Sequence, residues 1–147
     1  MAVYCDGGKG WIATPQGLRL LAGPPLQQAQ GELLRVWYLL LLSDRLPGRK
    51  VNRVDEFVLE ISDASGSVRL TLDPETLLPR QVAYPAVLTS GPPQTITETF
   101  SDYREVEGVQ VPHRSVTTQG GKKYAELTLK EYKLNTGLTV EEISKRP

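Results

Sequence analysis

The chain has 147 residues, with 17 basic and 17 acidic side chains, a formal net charge of zero and a single histidine. That balance excludes a non-specific nucleic-acid binder, which concentrates surplus Lys and Arg on one face to meet phosphates. Apolar residues at 39% and charged residues at 23% exclude a disordered tail, and one cysteine, Cys5, excludes an internal disulfide.

A chain of this length buries roughly 68% of the surface its unfolded form exposes, enough for one core without a metal or disulfide staple. Residues 1–147 therefore read as a single β-rich domain. The opening stretch Met1 to Gly8 has no basic segment followed by an apolar one, so no secretory signal is legible, and the chain reads as cytosolic or as an excised piece. Short strands are expected at Val3 to Cys5, Gly10 to Thr14 and Gly17 to Leu21, around tight glycine and proline turns. Gly7-Gly8-Lys9-Gly10 is one of those turns. It lacks phosphate-loop spacing and opens a strand rather than a helix.

Pro24 and Pro25 then supply a favourable first turn, and Leu26 to Leu42 is rich in good helix formers. One helix is predicted over that span. Leu26, Ala29, Leu33, Val36, Trp37 and Leu40 form its apolar face, opposite Gln27, Gln28, Glu32 and Arg35. Its last two turns are apolar all round and should be covered on more than one side. The run Val36 to Leu42 is far short of the ~20 residues a membrane-spanning helix needs, so it is either a lid with exchangeable apolar contacts or a helix packed into its own core. Ser43 to Gly48 closes the helix, since Pro47 cannot continue it.

From there the apolar period changes from 3.6 to 2. Phe57, Leu59 and Ile61, a turn at Asp63 to Gly66, then Val68, Leu70 and Leu72 make a hairpin with one apolar face. Asp73-Pro74-Glu75-Thr76 is a second turn, followed by a strand from about Arg80 to Tyr84 and a loop over Pro85 to Pro93. Three longer strands come next, Thr95 to Tyr103, Val109 to Thr118 and Lys122 to Leu134, joined by turns at Glu107-Gly108 and Gly120-Gly121. Pro112 cannot donate a ladder hydrogen bond, so its strand should bulge there or present that position outward. The fold class is thus mainly β (α+β), a curved antiparallel sheet with one main helix. One helix covers only part of such a sheet, which must curl around its cover, close on itself or pair with another chain.

Catalytic constellations are weak. His113 has no partner motif and reads as a surface strand residue, and Cys5, beside Asp6, as a small buried or half-buried one. Glu98 and Asp102 fall on one strand face, Glu105 and Glu107 on the other or beyond the turn, with Arg104 as a neutralising neighbour, so the cluster reads as a solvated face. No enzymatic function, metal site or cofactor is implied.

Three stretches carry a resemblance. Phe100-Ser101-Asp102-Tyr103-Arg104, the turn at Val106-Glu107-Gly108 and a strand leading to Pro112 form the first. Leu70-Thr71-Leu72-Asp73-Pro74-Glu75-Thr76-Leu77-Leu78-Pro79-Arg80 is the second, and Tyr4-Cys5-Asp6-Gly7-Gly8-Lys9-Gly10-Trp11 the third. Together they resemble the bacterial LolA-like, outer-membrane lipoprotein-sorting family. That resemblance implies an incomplete half-barrel whose concave apolar face is plugged by helices and accepts acyl chains or a hydrophobic partner, in the periplasm or cell envelope. The family's domain begins with a helix and strands that would precede Met1, so this chain corresponds to its C-terminal part. The missing front would leave an open sheet edge and an apolar face, commonly satisfied by self-association, so a homodimer is expected. The candidate lipid-lining residues are Trp37, Leu40, Leu59, Leu70, Leu72, Leu127 and Leu129. The alternative is a structural or protein-interaction β-module of a larger envelope protein, recognising its partner through a sheet edge.

Overall fold

A computed structural model describes residues 2–6, 8–85 and 94–145. Strands β1 (Ala2–Cys5), β2 (Gly10–Thr14) and β3 (Gly17–Leu20) form a three-stranded antiparallel sheet. Asp6 shapes the first turn, its carboxylate accepting the amides of Gly8 and Lys9 at 2.9 and 2.7 Å. Trp11 is buried and stacks on Tyr4, its cross-strand partner, at 5.9 Å between rings. Cys5 is half-buried.

The main body is an open, curved antiparallel sheet of seven strands, and strands make up half of the protein. They are β4 (Lys50–Asp55), β5 (Val58–Asp63), β6 (Gly66–Leu72), β7 (Pro79–Pro85), β8 (Thr95–Val106), β9 (Val109–Gln119) and β10 (Lys122–Thr128), and their order in space is their order in sequence. The turns arise from local chemistry. Asp63 Oδ1 accepts the amide and hydroxyl of Ser65, and Asp73 Oδ1 accepts the amides of Glu75 and Thr76 and the Thr76 hydroxyl. Glu107-Gly108 and Gly120-Gly121 have positive φ at both central residues, the twist that matches adjoining strands in a two-residue hairpin.

Alternation places Leu59 and Ile61 opposite Leu70 and Val68, and Leu70 opposite Val82, on one face. Two helices cap these middle strands, α1 (Pro24–Arg35) and α2 (Trp37–Leu41). The core joins Leu34 and Leu40 from the helices to Ile61, Val68, Leu70, Val82 and Phe100 from the sheet, with Trp37, Leu59, Leu72, Tyr84 and Tyr103 packed around them. The cover stops there: every residue of β4 and of β10 is exposed. No helix among the described residues is long and apolar enough to cross a membrane.

Several boundaries differ from the sequence reading. The expected single helix is two, divided at Val36, whose ψ of 115° is extended; β-branching makes valine a weak helix former at this junction. The buried leucine of α1 is Leu34, while Leu33 is only half-buried, because the break frees α1 from the orientation a continuous helix would impose. Strand β8 runs on to Val106, whereas β10 ends at Thr128 rather than Leu134. The ladder continues only as Leu129 N donating to His113 O, since Pro112 lies just beyond. At Pro112 itself there is no bulge: the β8–β9 register is unbroken from Ser101↔Arg114 to Tyr103↔Pro112. An unexpected short helix, α3 (Val140–Ser144), is nucleated by a capping box between Thr139 and Glu142. In the expected loop over Pro85 to Pro93, Pro85 closes β7 and the remainder lies outside the described residues.

Candidate functional site

The sheet's concave face is where the helices, the core and the exposed strand β10 meet, and α2 decides its shape. Arg35 at the end of α1 is held by Glu32 at 2.5 Å and lies over the Tyr84 ring at 4.2 Å, so α1 is fixed to β7 before the chain turns at Val36. Burial raises the Tyr84 phenol above its usual value, with the nearby Arg35 charge opposing the shift. The Val36 carbonyl then accepts the amides of Leu39 and Leu40 at 2.9 and 3.1 Å, which starts α2 afresh.

Arg49 holds the other end. Its guanidinium donates to Leu39 O at 2.8 Å, to Ser43 Oγ at 3.0 Å and, at 3.4 Å, to Leu33 O of α1. Ser43 is buried and its hydroxyl also donates to Leu39 O at 3.2 Å. One cation thus ties together carbonyls near the C-terminal ends of both helices, where the helix dipole favours positive charge.

Between these anchors, α2 is only half covered. Leu40 is buried in the core, but Tyr38, Leu41 and Leu42 are 46%, 45% and 43% exposed. The apolar end of the helical region was expected to be covered on more than one side; the break at Val36 turns it so that a single side meets the sheet.

The seven candidate lining residues divide into two groups. Leu40 and Leu70 are buried in the core, and Leu59 and Leu72 pack against it. Leu127 and Leu129, together with Trp37, which also packs against the core, come together around a cavity of about 90 Å³, with Phe100, Pro112 and Ser115. Leu127 is 56% exposed at its mouth.

Glu98 and His113 line the same cavity. His113 is buried, not on the surface as expected, and its Nδ1 lies 3.0 Å from Val111 O. The register explains this: Phe100 faces Ser115 across β8–β9, so the alternate residues of β9 from His113 onward lie on the concave side. Asp102 does not join them. Its backbone is left-handed, with φ of 53°, and its carboxylate accepts two bonds from Arg104, at 3.1 and 2.6 Å, which hold it below the usual carboxylate range. Among the described residues no three His, Cys, Asp or Glu side chains are arranged to hold a metal ion.

The opposite face of the outer strands is polar. Arg114 binds Glu126 at 2.7 Å across β9–β10, and Lys123 binds the same carboxylate. A larger depression of about 480 Å³, between the helices and the β5–β6 turn, is lined by Leu33, the core residue Leu34, Leu39, Leu46, Arg49 and Ser65 among others.

Compared with known protein families, curated proteins and solved structures, the chain finds no match.

Proposed function

We propose that this chain is a non-catalytic binding module that shelters an acyl chain of a lipid or lipoprotein on its concave face, with α2 as a displaceable plug. The observation that carries the reading is α2 itself. It is a five-residue apolar helix, separated from α1 by one extended residue and covered on one side only.

Magnitudes set how it works. A cavity of about 90 Å³ is well below the roughly 300–1,000 Å³ of usual ligand pockets. An acyl chain therefore enters by taking the place of Trp37 and Leu40. Exposing those two side chains costs about 3–6 kcal/mol, and each buried methylene returns about 0.8 kcal/mol. Roughly four to eight methylenes balance the plug, so long chains displace it and short ones do not. Phe100, Leu127 and Leu129 would receive the chain, beside the Glu98 and His113 side chains. The three stretches resembling the LolA-like family agree with this use of a concave sheet and supply the envelope setting.

Titration of a fluorescent fatty-acid series tests it. Hexanoyl probes should stay free and hexadecanoyl probes bind, and Leu127→Asp should abolish uptake with the fold intact because Leu127 is largely exposed. Absence of uptake at every length, or equal affinity at every length, would overturn it.

A second reading, a β-module that docks another protein along a sheet edge, is favoured by the exposure of β4 and β10 over their whole lengths. It differs in that partner capture should survive bulky substitutions that fill the concave face, such as Ser115→Trp, whereas acyl uptake should not. Either reading is compatible with a homodimer.

A further inference from the structure

We propose that the head group taken up with the apolar chain is a primary ammonium, held by Glu98. The inference rests on the acyl-binding reading and names the class of lipid that reading leaves open.

The cavity runs along β8 and β9. Glu98 lies opposite Thr117, Phe100 opposite Ser115, and Ser115 opposite Leu127 of β10. Alternate residues share a face, so the concave side passes from Glu98 through Phe100 and Ser115 to His113. Glu98 and His113 therefore stand at opposite ends of the cavity that both line. His113 is four residues along β9 from Thr117, the partner of Glu98, which is roughly 13 Å of strand. One small head group meets one of them, not both.

The polar groups at the cavity are mostly acceptors. His113 is buried and its Nδ1 lies 3.0 Å from Val111 O, a carbonyl that can only accept, so Nδ1 carries the proton and Nε2 of the neutral ring keeps a lone pair. Glu98 is half-buried and, among the described residues, makes neither a hydrogen bond nor an ion pair. Its charge is felt nearby: burial raises the Tyr84 phenol, and Glu98 adds to that rise. The Ser115 hydroxyl can donate as well as accept. Among the described residues no Lys or Arg lines the cavity. Arg35, docked on the same face over Tyr84, is already paired with Glu32.

A half-buried carboxylate without a partner is matched by a ligand that donates. An ammonium brings three N–H donors and the opposite charge. A fatty-acid carboxylate would meet the like charge of Glu98 and a single hydroxyl, so it binds through its chain and keeps its head in water at the mouth. Charge makes Glu98, rather than His113, the ammonium's partner. Glu98, Ser115 and His113 all belong to the sheet, so they stay in place when α2 is displaced.

Competition against a fluorescent hexadecanoyl probe on the full chain tests the proposal, with dodecylamine, dodecanol and dodecanoate at neutral pH and below micelle-forming concentrations. A twelve-carbon chain exceeds the roughly four to eight methylenes that balance the plug. Dodecylamine should displace the probe at about one-tenth the concentration the other two require, the scale of one charge-assisted hydrogen bond. Glu98→Gln keeps the side chain's shape and should bring that ratio to within about twofold of one, with the fold checked by circular dichroism. Propylamine, an ammonium without the chain, should not compete. Equal displacement by the three head groups, stronger displacement by dodecanoate, propylamine competing as well as dodecylamine, or an amine preference that persists in Glu98→Gln would overturn the assignment and leave the acyl-binding reading standing. Failure of the probe and of all three dodecyl compounds to bind would overturn both.

Discussion

Replacing Arg49 by alanine tests whether one guanidinium holds the helical cover in place. The change removes two well-formed charge-assisted hydrogen bonds, to Leu39 O at 2.8 Å and Ser43 Oγ at 3.0 Å, and a third contact of 3.4 Å to Leu33 O. Hydrogen bonds to charged groups contribute about 1.5–3 kcal/mol each. The site is partly open to solvent, and Leu39 O retains the Ser43 hydroxyl, so a loss of about 2–3 kcal/mol is expected for the pair. At roughly 2–4 °C per kcal/mol for a chain of this size, the melting temperature should fall by about 5–10 °C. Urea unfolding followed by tryptophan emission measures this, with the midpoint falling and the slope unchanged. A cycle with Ser43→Ala should show a coupling of about 0.5–1.5 kcal/mol between the two side chains. If Arg49→Ala shifts stability by less than about 0.5 kcal/mol, the ordinary effect of a surface substitution, the clasp contributes nothing and packing alone holds the cover. The same variant should take up long-chain acyl probes faster than the parent, because α2 is loosened at the end opposite Val36.

Other perturbations separate core from surface. Ile61 is fully buried, and Ile61→Ala should cost about 2–5 kcal/mol in urea unfolding, whereas Tyr124→Ser, at a residue 75% exposed, should stay within about 0.5 kcal/mol. Tyr103→Phe removes the hydroxyl that donates to Pro79 O at 2.5 Å and should cost about 1 kcal/mol. Burial raises the Tyr103 phenol above its ordinary value of 10.0. Above that pH the unfolded chain loses a proton that the folded one retains, so stability present below pH 10 declines as pH rises, and Tyr103→Phe should flatten this alkaline limb in pH-dependent unfolding. Asp73 behaves oppositely: the Thr76 amide and hydroxyl hold its carboxyl below 3.8. Its contribution is present above that value and lost as pH falls through the folded one, so Asp73→Asn should reduce the acid dependence of unfolding below about pH 4.

Much of the fold was legible because its turns carry their own chemistry. Asp63, Asp73 and the Glu107-Gly108 and Gly120-Gly121 pairs close hairpins whatever surrounds them, and alternation from Leu59 to Leu72 marked the buried face. The features that escaped depended on tertiary context. Valine's weak helix propensity permits a break at Val36 but does not fix it there, since valines also sit inside helices; the contacts that flank it, Arg35 on Tyr84 and Arg49 reaching back from a later loop, are tertiary. The burial of His113 was equally hidden, because β9 carries His113, Ser115 and Thr117 on its concave side and Arg114, Val116 and Thr118 on the other. With polar residues on both, the pattern does not say which face is covered. Leu127 and Leu129, two residues apart, were legible as neighbours on one strand face, but only the folded arrangement of α2 against the sheet brings Trp37 beside them.

The sheet's spatial order, β4 to β10 without a crossover, bears on how the molecule forms. Each strand after the first finds its partner within a short stretch of polymer, so the loop-closure entropy for each added strand is small and the relative contact order is low for a β-rich topology. Synthesis from the N-terminus would extend the ladder one rung at a time as the chain emerges, and the short helices gain their stability once the sheet is there to pack against. Folding should be quicker than in sandwiches of similar size, where strands distant in sequence must first meet.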